Sequence, residues 1–219
     1  MGEVGGAGYI LASMAPRIAL ALAALVLLGT APAASAACGG VVTAQPGKKL
    51  GDFDSPLIIG DSVLLGAVKP VARTGWEVDA HGCRSWTEGA RIVRRRKRHG
   101  HLPHMVAMFL GADWEVSTAQ IRETLFRLGP KRLLVLVTPR ELGGKDGKDA
   151  QNMRDMAAEQ PERILLLDWV AHARGKKSWF APDGIHLGYP GVTGLKNFLK
   201  GALKYAAPGA FPAPPPASS

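Results

Sequence analysis

Five short apolar, β-prone runs recur through the middle of the chain, at 57–60, 76–80, 105–110, 133–138 and 164–168. Stretches with helical periodicity separate and follow them, at 63–72, 87–98, 118–128, 148–159 and 191–205. All of these runs but 76–80 lack polar alternation, as strands buried on both faces do, and such strands call for a parallel sheet with helices covering each side. Right-handed crossovers make an α/β three-layer sandwich the economical architecture: a five-stranded parallel sheet in the flavodoxin-like order 2-1-3-4-5. Local signals agree, since Ser117 is placed to cap a helix beginning at Thr118 and Gly129-Pro130 to stop it. No internal repeat is visible.

The two ends of the 219-residue sequence read differently. Met14-Ala15-Pro16-Arg17, an apolar run over 18–28 and Ala34-Ser35-Ala36 follow the pattern of a secretory signal. Met14, just ahead of the basic residue, fits the initiator. The pattern predicts residues 1–36 to be leader and signal peptide, with cleavage near Ala36 and a secreted or envelope-associated product. Two other readings stay open. An uncleaved anchor is one, opposed by Pro32 and the small residues after it. Lipid attachment at Cys38 is the other, opposed by the lack of a large aliphatic residue in Ser35-Ala36-Ala37.

Residues 37–55 form an N-terminal extension, 56–207 one domain large enough to bury a core without cross-links, and 208–219 a Pro/Ala-rich tail expected to be disordered. The only two cysteines, Cys38 and Cys83, would meet oxidising conditions outside the cell, so a disulfide between them is expected. It would tie the extension to the loop after the second strand.

The formal net charge is +9, and much of the excess lies in Arg91, Arg94, Arg95, Arg96, Lys97 and Arg98. Such a cluster is either a solvated helix face or a surface for anionic wall polymer or lipid headgroups. No nucleic-acid-binding motif accompanies it. A monomer is expected, with no metal and no cofactor.

The first apolar run ends at Gly60-Asp61-Ser62. A buried strand that turns into a helix there places Ser62 on the first helical turn, at the strand's carboxyl end, where open α/β sheets build their sites. Near the other end of the chain stands Pro182-Asp183-Gly184-Ile185-His186-Leu187. A serine hydroxyl is a weak nucleophile at neutral pH. It needs a neutral imidazole within hydrogen-bond reach, and a third group to hold that imidazole in the right tautomer. Three residues apart on a tight loop, Asp183 and His186 can supply both. His81, His99, His101, His104 and His172 lack a carboxylate at this spacing beside a Gly-bearing loop. The competing roles are ordinary ones: Ser62 as a helix cap and Asp183-Gly184 as a turn.

Over about 56–205 these blocks resemble the SGNH (GDSL-like) hydrolase superfamily, in particular the extracellular SGNH domains of peptidoglycan O-acetyltransferases and related envelope acyl esterases. Gly60-Asp61-Ser62 is similar to its first block and Asp183-Gly184-Ile185-His186-Leu187 to its last. Val78-Asp79-Ala80-His81-Gly82-Cys83-Arg84-Ser85 looks like the second block and Leu110-Gly111-Ala112-Asp113 like the third. Val137-Thr138-Pro139-Arg140 and Leu167-Asp168-Trp169 fall where those domains carry similar strand-end segments.

The resemblance implies an acyl-enzyme mechanism with Ser62 as nucleophile, His186 as base and Asp183 as orienting group. It also implies an oxyanion hole built from the Ser62 backbone N–H, a backbone N–H of Gly82 or Cys83, and a third-block side chain. That last position is asparagine in the family and Asp113 here, and an ionised carboxylate offers no donor.

Arg84 and Arg140 are candidates to hold a charged acceptor, against a competing role as solvated loop ends. Trp114, Trp179 and Phe180 are candidates for an acyl pocket or sugar platform, against a competing role in the core. The expected function is an exported serine-dependent hydrolase of short acyl, chiefly O-acetyl, esters on envelope glycans. The lack of a multi-span portion to deliver an acyl donor tilts this expectation towards hydrolysis, or towards a transferase served by a separate partner. The alternatives are an O-acetyltransferase with the same triad, and an SGNH-fold wall-binding module that has lost activity.

Overall fold

The computed structural model describes residues 1–2 and 38–211. The expected signal peptide, its cleavage point and the last eight residues of the tail lie outside the described residues. The chain divides into two compact units, 1–37 and 38–219, and the second carries the sheet.

That sheet has six strands: β1 (Val41–Ala44), β2 (Leu57–Gly60), β3 (Glu77–His81), β4 (Met105–Phe109), β5 (Leu133–Val137) and β6 (Ile164–Leu167), ordered β1-β3-β2-β4-β5-β6. The five strands anticipated from the apolar runs are all parallel and lie in the anticipated order. The sixth is a correction. β1 falls in the segment read as an extension and pairs antiparallel with β3, Val41 opposite His81 and Ala44 opposite Val78. Its four residues lie at an edge and are largely exposed, so they carry neither the buried run nor the alternation that marks a strand in sequence.

Helices pack on both faces: α1 (Ser62–Leu65), α2 (Val68–Ala72), α3 (Trp86–Arg98), α4 (Thr118–Leu128), α5 (Lys148–Glu159), α6 (Trp169–His172) and α7 (Tyr189–Ala202). Alternate strand residues feed two cores. Ile58, Val78, Ala107, Phe109, Val135 and Val137 meet α1, α2, α6 and α7, whereas Leu57, Ile59, Val106, Met108, Leu134 and Leu136 meet α3, α4 and α5. This is the three-layer arrangement, and it leaves β2, the strand before Ser62, buried along its whole length.

The helix expected over 63–72 is broken in two. A continuous helix would set the Pro70 ring against the carbonyl of Gly66. Restarting at Val68 puts Pro70 in the first turn of α2, where a missing N–H costs nothing. Capping boxes open two of the long helices, Ser85 with Glu88 on α3 and Ser117 with Gln120 on α4. Beyond α7, the Phe211 ring meets Tyr205 edge-on, with centroids 5.3 Å apart. No helix among the described residues is long and apolar enough to cross a membrane.

Candidate active site

The sheet's topological switch lies between β3 and β4, on either side of β2, and crevices at such points open at the strands' carboxyl ends. Ser62 stands there as the first residue of α1, with Asp61 as the N-cap. The Asp61 carboxylate accepts from the Val63 N–H at 3.1 Å through one oxygen and from the Ala112 N–H at 3.2 Å through the other. It thereby ties the turn that carries Ser62 to the loop leaving β4. Asp61 is only 1 % exposed. Burial pushes its carboxyl up to about 6, and the charge of Asp113 adds to that rise against the pull of the backbone N–H bonds.

The second half of the site comes from the loop before α7. His186 Nε2 lies 3.0 Å from Ser62 Oγ, and His186 Nδ1 lies 2.7 Å from Asp183 Oδ2. The other Asp183 oxygen accepts from the backbone N–H groups of Ile185 and His186 at 2.8 and 3.0 Å. Partial burial works to raise the Asp183 carboxyl, but the His186 ring and the two backbone N–H groups outweigh it and hold it below the ordinary carboxylate range. An ionised Asp183 accepts from Nδ1–H, which leaves Nε2 as the acceptor for the serine proton.

The loop is itself braced. The Gly143 N–H donates to the Asp183 carbonyl at 2.8 Å, and Arg140 Nε donates to the Gly184 carbonyl at 2.9 Å. Gly184 has φ +74°, and a Cβ there would come within 2.5 Å of the Gly144 nitrogen, so only glycine fits.

The turn after β3 is the third part. The Arg84 N–H donates to the His81 carbonyl at 3.3 Å, closing a tight turn whose third residue, Cys83, has φ +54°. A left-handed non-glycine residue costs about 1–2 kcal/mol and persists only where its surroundings impose it. Cys83 is disulfide-bonded to Cys38. Gly82 lies so close to the Cys38 carbonyl that any side chain there would overlap it. Among the described residues, the Gly82 and Cys83 amides have no acceptor, so both alternatives for the oxyanion donor stay available.

Other candidates sort themselves by burial. Arg84, expected to hold a charged acceptor, is 4 % exposed and turned inward, bonding the Asp79 carboxylate at 2.7 Å and the carbonyls of Asp79 and Gly60. Its guanidinium is engaged in clamping the ends of β2 and β3, so the expected binding role does not apply. Arg140 likewise braces the His186 loop and stacks 3.8 Å over the Phe180 ring, and burial of its cation lowers its pKa. Trp179 stacks on Trp169 with centroids 5.7 Å apart, as core packing requires.

Trp114 remains at the surface, 57 % exposed, with its indole N–H donating to the Cys83 carbonyl at 2.9 Å. Together with His81, Glu88, Arg91 and the disulfide it lines an open hollow. Asp113 is exposed, one residue beyond the Ala112 amide held by Asp61.

Sequence reading missed Asp61 and the 140–144 loop. A carboxylate at an N-cap next to the serine was the available signal for the first; the second depends on a contact between distant loops. On α3, Arg96 is held by Glu77 and Lys97 bonds the Arg127 carbonyl, which leaves Arg91, Arg94, Arg95 and Arg98 exposed and without such a partner among the described residues. No group of three or more His, Cys, Asp or Glu side chains among the described residues could hold a metal ion.

No family model matches the chain. Among curated proteins, the O-acetyltransferase OatA of Staphylococcus aureus strain NCTC 8325 is 29 % identical over 150 residues, which covers 66 % of this chain and 24 % of that protein. The chain thus spans about a quarter of the length of such relatives.

Among solved structures, the C-terminal catalytic domain of peptidoglycan O-acetyltransferase A from Streptococcus pneumoniae, carrying a methylsulfonyl adduct, aligns with a TM-score of 0.62. Identity is 23 %, over 71 % of this chain and 96 % of that one. A lipolytic G-D-S-L family protein from Veillonella parvula aligns with a TM-score of 0.52 at 13 % identity, over 68 % and 96 % of the two chains. The fold is that of the SGNH (GDSL-like) hydrolases.

Proposed function

We propose that Ser62 forms an acyl-enzyme with a short acyl group, acetyl in particular, carried as an ester on a cell-envelope glycan. The observation that carries this reading is the unbroken path from the Ser62 hydroxyl through His186 to Asp183, at 3.0 and 2.7 Å. His186 takes the serine proton as Oγ attacks the ester carbonyl. The negative charge that develops on the carbonyl oxygen meets the Ser62 amide at the start of α1 and an amide of the Gly82–Cys83 turn. The imidazolium returns the proton to the leaving sugar oxygen, and the cycle repeats with the second acceptor.

That acceptor is water in a hydrolase and a sugar hydroxyl in a transferase. The names of the relatives favour transfer. The half-exposed His186 side chain, open to water, favours hydrolysis. The cationic face of α3 would bring the enzyme, exported and monomeric, to anionic envelope polymer, without nucleic acid as a partner.

Incubating the purified chain with an O-acetylated glycan, with and without an unacetylated oligosaccharide, tests both steps. Acetate release that ceases in Ser62→Ala supports the acyl-enzyme, and acetyl appearing on the added sugar assigns transfer. A fluorophosphonate that fails to modify the folded wild type at Ser62 would overturn the reading and leave a binding module.

A further inference from the structure

We propose that the Cys38–Cys83 disulfide is a positioning device for catalysis: it holds the Gly82–Cys83 turn in the form that presents its amides to the oxyanion, so breaking it lowers turnover. The inference rests on the acyl-enzyme reading of Ser62. Cys83 is the one non-glycine residue with positive φ among the described residues, and Gly82 before it is not left-handed. A four-residue turn with that sign pattern, His81 to Arg84, ordinarily places glycine third. Cysteine in that place needs an outside constraint, and three converge on it.

The sulfur bond to Cys38 is the first. The indole of Trp114, which donates to the Cys83 carbonyl at 2.9 Å, is the second. The third is the backbone of Cys38, whose carbonyl packs against Gly82 so closely that no side chain fits. β1 delivers Cys38 to this spot, because its register sets Val41 opposite His81 at the carboxyl end of β3. The turn therefore lies next to the end of β2, from which Ser62 follows, while the Ser62–His186–Asp183 bonds lie on other loops. Loss of the cross-link should misplace a charge-stabilising donor and spare the proton relay.

A disulfide that serves only as a staple predicts something different, and one pair of variants separates the two. Cys38→Ser frees the turn. Adding Cys83→Gly restores a residue that adopts positive φ unaided, without restoring any cross-link.

With p-nitrophenyl acetate as the probe and reductant present, Cys38→Ser is expected to lose between about tenfold and a hundredfold in kcat, the range for a misplaced donor, with KM within about twofold. The double variant recovers most of the kcat while its thermal midpoint stays as low as that of Cys38→Ser. Should Cys38→Ser not fold, chemically reduced wild type takes its place beside the double variant.

Wild-type kcat in the reduced or Cys38→Ser protein overturns the proposal, and so does a folded double variant that recovers nothing. Absence of Ser62-dependent turnover in the oxidised wild type instead removes the acyl-enzyme reading, and this inference with it.

Discussion

Asp61 carries opposing demands in a single side chain. Two backbone N–H groups, one per oxygen, favour the carboxylate, while near-complete burial and the neighbouring charge of Asp113 favour the acid. The outcome, about 6 against an ordinary 3.8, means that the folded protein holds this proton more tightly than the unfolded chain does. The stability Asp61 contributes is therefore full below about pH 4 and is lost as pH rises through about 6. By linkage, a displacement of about two pH units amounts to about 3 kcal/mol.

Asp61→Asn removes the titration. Its stability relative to wild type is expected to climb by up to that amount between pH 4 and 7, followed by thermal or urea unfolding across that range. Asparagine keeps one accepting oxygen and sets an amide NH2 against the other backbone N–H, and the cost of leaving that N–H without an acceptor shifts the whole curve without changing its slope. Turnover should nevertheless fall several-fold, because the link from the Ser62 turn to the β4 loop is weakened. A flat difference between pH 4 and 7 would show that Asp61 is not held near 6.

At the scale of elements, the proton relay depends on loops that brace one another. The segment 140–144 holds the 183–186 loop through the Arg140 side chain, the Gly143 amide and the packing of Gly144 against Gly184. Gly184→Ala forces a Cβ into that contact at a left-handed position and should cost about 2 kcal/mol or more. Turnover should drop about a hundredfold, as for a displacement of about 1 Å at a reacting group, while helical circular dichroism is preserved. Activity within threefold of wild type would show that the loop does not need this support.

Elements also differ in how far their own residues announce them. β2, β4, β5 and β6 were legible because buried parallel strands are written as apolar runs, and β3 because Trp76-Glu77-Val78-Asp79-Ala80 is β-prone. The contact of Asp183 with His186 was legible because three residues on a tight loop bring a carboxylate back to an imidazole. β1 was not, since an exposed edge pair is set by its partner. The inward Arg84 was not, since burial of a guanidinium depends on Asp79 and two carbonyls that the fold assembles. Nor was the left-handed Cys83, which depends on a tether 45 residues away.

For the molecule as a whole, charge is the property that elements do not explain singly. The sequence carries +9, and α3 concentrates cations while aiming Arg91 at the hollow lined by Trp114 and the disulfide. Arg96 is paired with Glu77, whereas Lys97 bonds only a neutral carbonyl and keeps its charge, so the field available to a partner comes chiefly from Arg91, Arg94, Arg95, Lys97 and Arg98. A solvated face and a polymer-binding face differ in how they respond to salt. Cations near an anionic surface are worth about 1 kcal/mol each at moderate ionic strength, and that attraction fades within a Debye length of about 10 Å at 0.1 M.

Replacing Arg94, Arg95 and Arg98 together by Gln leaves Arg91 beside the hollow and touches none of the groups around Ser62. The triple variant is expected to lose up to about 3 kcal/mol in affinity for a poly(glycerol phosphate) polymer at about 0.1 M salt. Its turnover of a small neutral ester should stay within about twofold of wild type. Wild-type binding itself should weaken steeply between about 0.05 and 0.5 M salt, measured by co-sedimentation. Equal binding by the two proteins would mark α3 as a solvated face.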